Sequence, residues 1–308
     1  MKVKLYLIFL IILPFHGAFS QESNLEVLIL GAAQDGGYPQ AGCKKTCCKD
    51  VIDQKTEGSF IVSIAIIDKE TNNVWLVDCT PDFSQQLRML SIYMNERDFT
   101  LDGIFLTHAH IGHYLGLSQL GREVMGTHSI PAYAMPKMRE FIKHNGPWNQ
   151  LVDLRNIELR DLNEGEPVGL IDGLSVTPFL VPHRDEYSET VGYYIRTKDK
   201  SLLYIPDIDK WTRWDRDLSE EIQQVDYALI DATFYSKDEL PGRNLEDIPH
   251  PTVIESMELL QGLSPDERKK VHFIHMNHSN PILRESEERN RVLNSGFNIG
   301  KQGKVLEL

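Results

Sequence analysis

Two β-sheets packed on each other, with helices outside, are the architecture this chain predicts. Three observations carry the expectation. Short apolar runs of strand character outnumber what one doubly wound sheet needs. Helical patterns recur too often for a pure β sandwich. Several of the apolar runs end in a side chain able to bind metal.

Taken in order, the first twenty residues stand apart from the fold. Lys2 and Lys4 precede an apolar run over 5–13, and Ala18 and Ser20 place small residues ahead of Gln21. That is the pattern of a secretory signal peptide over 1–20, too short for a membrane span and interrupted by Pro14, His16 and Gly17. The expectation is an exported protein, periplasmic or secreted, with no stable membrane anchor after cleavage. Residues 21–308 carry no repeat and no Pro/Gly/Ser linker, which predicts one domain.

Strands are predicted at 25–30, 59–67, 74–77, 103–106, 174–180, 191–196, 202–205, 227–230 and 271–274. Helices are predicted at 83–94, 114–125, 135–145, 219–224, 252–261 and 283–294. The formal charge of −13 becomes −15 once Lys2 and Lys4 leave with the signal peptide. Such an acidic surface disfavours the nucleic-acid backbone, whose binding depends on Lys and Arg neutralising phosphates. A small-molecule substrate is expected instead, anionic ones included, because a bound cation inverts the local field.

The most informative run is Thr107-His108-Ala109-His110-Ile111-Gly112-His113, at the handover from the strand at 103–106 to the helical pattern behind it. Side chains two apart at a strand end point the same way, so His108 and His110 can hold one ion, with His113 beside them. Later strands end in similar fashion, at His183, at Asp207 and at His275. Singly, each is an ordinary rim residue or turn cap. Together they form a set that one side of a sandwich can gather, and catalytic metal sites need that convergence. Cys43, Cys47 and Cys48 lie within six residues, a crowding that suits a thiolate metal site better than a disulfide framework, whereas Cys79 reads as a buried small hydrophobe.

A strand followed by His-x-His-x-x-His, then a later His, Asp and His in that order, resembles the metallo-β-lactamase fold across nearly the whole mature chain. The glycine-rich Gly31-Ala32-Ala33-Gln34-Asp35-Gly36-Gly37-Tyr38-Pro39 leading to Cys43 narrows the resemblance, as does the ending Phe273-Ile274-His275-Met276-Asn277-His278-Ser279-Asn280-Pro281. Both are similar to the branch holding the pyrroloquinoline quinone biosynthesis B protein and the cyclic phosphodiesterase of phosphonate breakdown. The resemblance implies a four-layer αβ/βα sandwich with its metal site in the cleft between two mixed sheets. It implies His108, His110 and His183 on a first ion, His113 and His275 on a second, and Asp207 bridging. It further implies a structural zinc held by Cys43, Cys48 and His278. The middle cysteine of the family's segment falls on Lys45, so Cys47 has to stand in.

The family's usual His-x-His-x-Asp-His carries an aspartate where this chain has Gly112. Either the site holds one ion, or another carboxylate fills the gap, with Asp35 and Asp209 as the candidates. A metal-dependent hydrolase is the expected function, with Asp207 and His275 as the catalytic residues and Asp207 orienting the attacking water. A phosphodiester or cyclic phosphate is favoured by analogy over a lactam or lactone. Zinc is the expected ion, one or two in the active site plus the structural one; iron or manganese suits the same nitrogen and oxygen donors. An iron-dependent oxidoreductase and a non-catalytic metal-binding protein are the alternatives. Arg184 and His250, with Asp35, are the candidate substrate contacts.

Overall fold

A computed structural model describes residues 24–240, 242 and 248–308; the predicted signal peptide lies outside the described residues. The first sheet receives β1 (Leu25–Gly31), β2 (Ser63–Asp68), β3 (Asn73–Val77), β4 (Thr100–Phe105), β5 (Ile130–Ala134) and β6 (Ile157–Asp161). The second is built from β7 (Val168–Ile171), β8 (Leu174–Leu180), β9 (Val191–Arg196), β10 (Ser201–Ile205), β11 (Tyr227–Asp231), β12 (Val271–Ile274) and β13 (Asn298–Ile299). The chain then returns as β14 (Val305–Glu307) to pair with β1. Each sheet has seven strands, in the orders β14-β1-β2-β3-β4-β5-β6 and β13-β12-β11-β10-β9-β8-β7. Both are mixed: β3 to β6 run parallel and β10 to β13 run parallel, while the remaining pairs are antiparallel.

Three apolar layers hold the sandwich. Val27 and Ile29 of β1 face the second sheet, while Leu28 and Leu30 pack under the helices of the first. In β10, Leu202 and Tyr204 face inward and Leu203 and Ile205 meet the other helical layer. Central strands buried on both faces lose the alternation of a half-wet strand, which is why they read as continuous apolar runs. Phe105 anchors the inter-sheet layer, stacked on Tyr133 at 4.3 Å and edge-on to Tyr193 at 5.8 Å.

The predicted central strands are all present. The unpredicted ones are the four sheet edges, β6, β7, β13 and β14, together with β5, which carries Pro131. The predicted helix at 114–125 is instead one α-turn, Ile111–Tyr114, followed by a 3-10 stretch, Leu115–Leu120. The cause is close packing: Gly116 N–H bonds Cys79 O at 2.9 Å, and a Cβ at Gly116 would lie 2.1 Å from Thr80 O. Among the described residues no helix is long and apolar enough to cross a membrane.

Two expectations follow for stability. Phe105→Ala should cost about 3–5 kcal/mol in urea unfolding, the usual range for an aromatic removed from a core. Ile52→Ala, at a 61 % exposed position, should stay within roughly 0.5 kcal/mol. His272 on β12 is a buried imidazole, and burial, aided by the Lys304 ammonium at 3.2 Å, pushes its pKa down to about 3. The unfolded chain therefore takes up a proton near pH 6.5 that the folded chain refuses. Its contribution is complete above pH 6.5 and is lost as the pH falls toward 3. The stability difference between pH 7 and pH 4.5 should accordingly shrink in His272→Gln.

Candidate metal centre

The sandwich opens along one rim, and the chemistry collects there. His108 and His110 follow β4, and His113 sits in the helical turn just beyond. Asp78 follows β3, Asp35 lies in the loop after β1, and His183 follows β8. Asp207 follows β10, Asp231 closes β11, and His275 follows β12. His250 precedes the helix Val253–Leu259, whose Thr252 N-cap forms a capping box with Glu255. Asp78 and His275 have φ of 68° and 59°, the left-handed region that costs non-glycine residues of order 1–3 kcal/mol each. The backbone around them is tied down, Asp78 N–H to Phe105 O at 2.8 Å and Met276 N–H to Ala32 O at 2.9 Å.

Four donor atoms converge in a first group. His108 Nε2 and His110 Nδ1 are 2.8 Å apart, and His110 Nδ1 and His183 Nε2 are 3.3 Å apart. Asp207 Oδ2 lies 3.3 Å from His108 Nε2, 3.2 Å from His183 Nε2 and 3.8 Å from His110 Nδ1. A tetrahedron with zinc–ligand bonds near 2.0–2.1 Å has an edge of about 3.3 Å, so this spacing fits such an ion. A second group comprises Asp35, His113 and His275, whose ligand atoms lie within 4.8 Å of one another. Among the described residues, Asp35 Oδ1, His113 Nε2 and His275 Nε2 are all buried without a hydrogen-bond partner. Asp207 Oδ2 is 3.9 Å from His275 Nε2, so this carboxylate stands between the two groups.

Partners on the outward nitrogens aim the inward ones into the centre. His113 Nδ1 donates to Asp78 Oδ2 at 2.6 Å, and His110 Nε2 donates to Glu186 Oε2 at 3.1 Å. His108 Nδ1 donates to Thr107 Oγ1 at 3.0 Å, whose hydroxyl in turn donates to Asp78. His275 Nδ1 donates to Thr233 Oγ1 at 2.9 Å, and that hydroxyl donates to Asp231. A carboxylate accepts only, and its hold on one ring nitrogen turns the other toward a cation. Of these outward nitrogens, His183 Nδ1 has no partner among the described residues.

Charge completes the picture. Burial works against ionising Asp207, but the imidazoles of His183, His250 and His275 hold its carboxyl well below the usual range. His250 donates through Nδ1 to Asp231 Oδ2 at 3.0 Å, and the same nitrogen lies 3.1 Å from Asp207 Oδ1 as an ion-pair contact. Burial opposes its charge, yet those two carboxylates push its pKa up to about 10. Burial likewise opposes charging His113, which Asp78 and Asp35 nevertheless raise well above the ordinary histidine value. Those same carboxylates favour a divalent ion.

A separate group, Cys43, Cys47, Cys48 and His278, brings its ligand atoms within 4.8 Å of one another. The helix Thr46–Ile52 carries Cys47 and Cys48, Gln40 N–H points at Cys48 Sγ from 3.4 Å, and all four cysteines are free thiols. Three sulfurs and one imidazole suit a structural zinc. Cys79 is fully buried.

The structure thus brings together all the ligands expected from sequence. Asp35 lies among them and Asp209 does not, its carboxylate being engaged by Arg213 and the Lys210 N–H. His250 is 5 % exposed and belongs to the centre itself, while Arg184 stays on the open rim beside Glu186, 4.0 Å away. Sequence reasoning missed the supporting roles of Asp78, Asp231 and Glu186. For the two aspartates the signal was available, since each ends an apolar strand as Asp207 does.

Two mixed sheets with helices on their outer faces, and histidine and aspartate donors at the strand ends between them, define a protein of the metallo-β-lactamase fold. Residues 73–276 match the beta-lactamase superfamily domain, and the chain belongs to that family. Its curated relatives include the Coenzyme PQQ synthesis protein B of Rhizobium meliloti (strain 1021), 25 % identical over 94 % of this chain and 100 % of the relative. The Methylobacterium sp. (strain 4-46) protein of the same name is 27 % identical over 92 % and 100 %. Among solved structures, zinc-bound PqqB from Methylobacterium extorquens superposes with a TM-score of 0.76 at 25 % identity, covering 92 % of this chain and all of that one. A diphosphatase from the PhnP family shares the fold at a TM-score of 0.67 and 24 % identity, over 92 % and 97 %.

Metal content per chain should separate the two sites. His108→Ala/His110→Ala should lose ions and keep the thiolate-bound one; Cys43→Ser/Cys48→Ser should do the reverse. The cysteine variant should also melt lower by about 3 °C, the shift that roughly 2 kcal/mol produces in a domain of this size.

Proposed function

We propose that the protein is an exported metal-dependent hydrolase of a phosphodiester or cyclic phosphate, with lactams and lactones less favoured. One observation carries the reading: the His108, His110, His183 and Asp207 donors lie beside the Asp35, His113 and His275 donors, with Asp207 Oδ2 3.9 Å from His275 Nε2 and His250 lodged against that same carboxylate. Ions held there supply Lewis acidity toward a substrate oxygen and bring the pKa of a bound water to about 7, and a pair of ions suits in-line displacement at phosphorus. Asp207, between the groups, orients the attacking water and accepts its proton through a carboxylate oxygen. His250, with Nδ1 held by Asp207 and Asp231, turns Nε2 away from them as the proton donor to the leaving oxygen. Glu186 and Asp78 keep the His110 and His113 rings oriented. Lys2 and Lys4 with the apolar run over 5–13 support export.

An iron-dependent oxidoreductase of the pyrroloquinoline quinone biosynthesis B type is the competing reading; the name Coenzyme PQQ synthesis protein B, which the relatives share, supports the B-type likeness. The two separate by assay. Zinc-loaded protein should hydrolyse bis(p-nitrophenyl) phosphate, lose activity to a chelator and regain it with zinc. Oxygen consumption with iron, and no hydrolysis with any ion, would overturn the hydrolase. His250→Ala should slow release of an alkoxide by about 10²–10⁴, the usual worth of a general acid. A p-nitrophenolate leaving group needs no proton and should be slowed much less. Equal loss on both esters would remove His250 from that role.

A further inference from the structure

We propose that Asp35 supplies to the second ion the carboxylate that the family pattern places at position 112, and that Gly112 is what admits it. This rests on the metal-dependent reading above and assigns a ligand within it. The two residues compete for one volume. A Cβ built on Gly112 would lie 2.1 Å from Asp35 Oδ1, 2.7 Å from its Cα and 3.0 Å from its Cγ. No side chain at 112 can coexist with Asp35 where it stands. The carboxylate has therefore moved from the helical turn beyond β4 to the loop beyond β1, and it fills the space the missing side chain leaves.

The orientation of Asp35 fits a ligand. Its Oδ1 is buried, bonds nothing and lies 3.4 Å from His113 Nε2, itself unpartnered. His275 Nε2, the third unpartnered atom, completes the group. The loop that delivers Asp35 is pinned to the strands carrying the other ligands. Gln34 N–H bonds Met276 O at 2.8 Å, one residue beyond His275, and Ala33 forms bridges to Ile61 and Met276. Other nearby carboxylates are committed: Asp78 to His113 Nδ1 and Thr107, Asp231 to Thr233, His250 and the Ile208 N–H, and Asp209 to Arg213. Without Asp35 the second ion would have only His113, His275 and a shared Asp207. With it the ion gains a donor and a compensating negative charge.

The test is a cobalt(II) titration of the purified chain with metal content per chain measured alongside. The wild type should take up two ions at the histidine groups. Asp35→Asn, which keeps the volume, should weaken the second of these by at least about tenfold, since even outer partners of metal ligands are worth 10–100-fold. Asp35→Ala should lose that equivalent on dialysis. Gly112→Asp alone should disrupt the second site, and Asp35→Gly/Gly112→Asp should restore it. Asp35→Asn and Asp35→Ala that both retain two tight ions would overturn the inference. So would a wild type holding one ion at the histidines; a wild type holding none there would overturn the hydrolase reading as well.

Discussion

A single buried carboxylate organises this molecule. Asp207 is 1 % exposed, with His108, His183 and His250 all within 3.3 Å and His275 at 3.9 Å. An isolated carboxylate at that depth would protonate or destabilise the fold, so its persistence demands opposite charge close by. Asp78 and Asp231 are fully buried as well and impose the same demand from either side. Imidazoles answer part of it, and donors left with free lone pairs leave room for cations to answer the rest. Removing one member would leave its partners unpaired, which is why the centre behaves as a unit rather than as a sum of contacts.

Topology explains how one carboxylate comes to have so many partners. Asp35, Asp78, His108, His110 and His113 come from strand ends of the first sheet, and His183, Asp207, Asp231 and His275 from strand ends of the second. Asp207 meets ligands of both. The inter-sheet layer around Phe105, Tyr193 and Tyr204 therefore sets the distance between the two halves of the site. Packing and chemistry are coupled there: a core change that shifts one sheet by a fraction of a bond length would misalign donors that must all meet one ion.

The sequence showed most of this centre because buried strands announce themselves as apolar runs, and a His or Asp directly after such a run stands out. Edges did not show. Strand β6 is half-exposed and polar, β7 is only four residues long and broken by Gly169, and β13 and β14 are shorter still. The helix at 114–125 was misread because Gly116 is pressed against the β3 exit, a constraint local apolar spacing cannot register. His250 reads only as a candidate substrate contact for a similar reason. Its flanks are prolines and polar residues, and only the fold carries it between Asp207 and Asp231. Asp35 was legible as a candidate, whereas its steric exclusion of any side chain at 112 exists only in three dimensions.

The two metal-ligand sets differ in softness, and that difference divides their tasks. Cys43, Cys47, Cys48 and His278 offer three sulfurs and a nitrogen, a closed set that favours zinc and leaves no position for substrate. It joins the segment after β1 to the loop after β12, the same two regions that carry Asp35 and His275. The histidine and aspartate groups offer only nitrogen and oxygen, which zinc, iron and manganese all accept. Identity of the ion is thus constrained at the thiolate set and left open at the histidine and aspartate groups. The hydrolytic and oxidative readings meet at this point: one donor geometry of nitrogen and oxygen suits several ions, so the two readings differ in the ion and in the use made of His250 rather than in the fold.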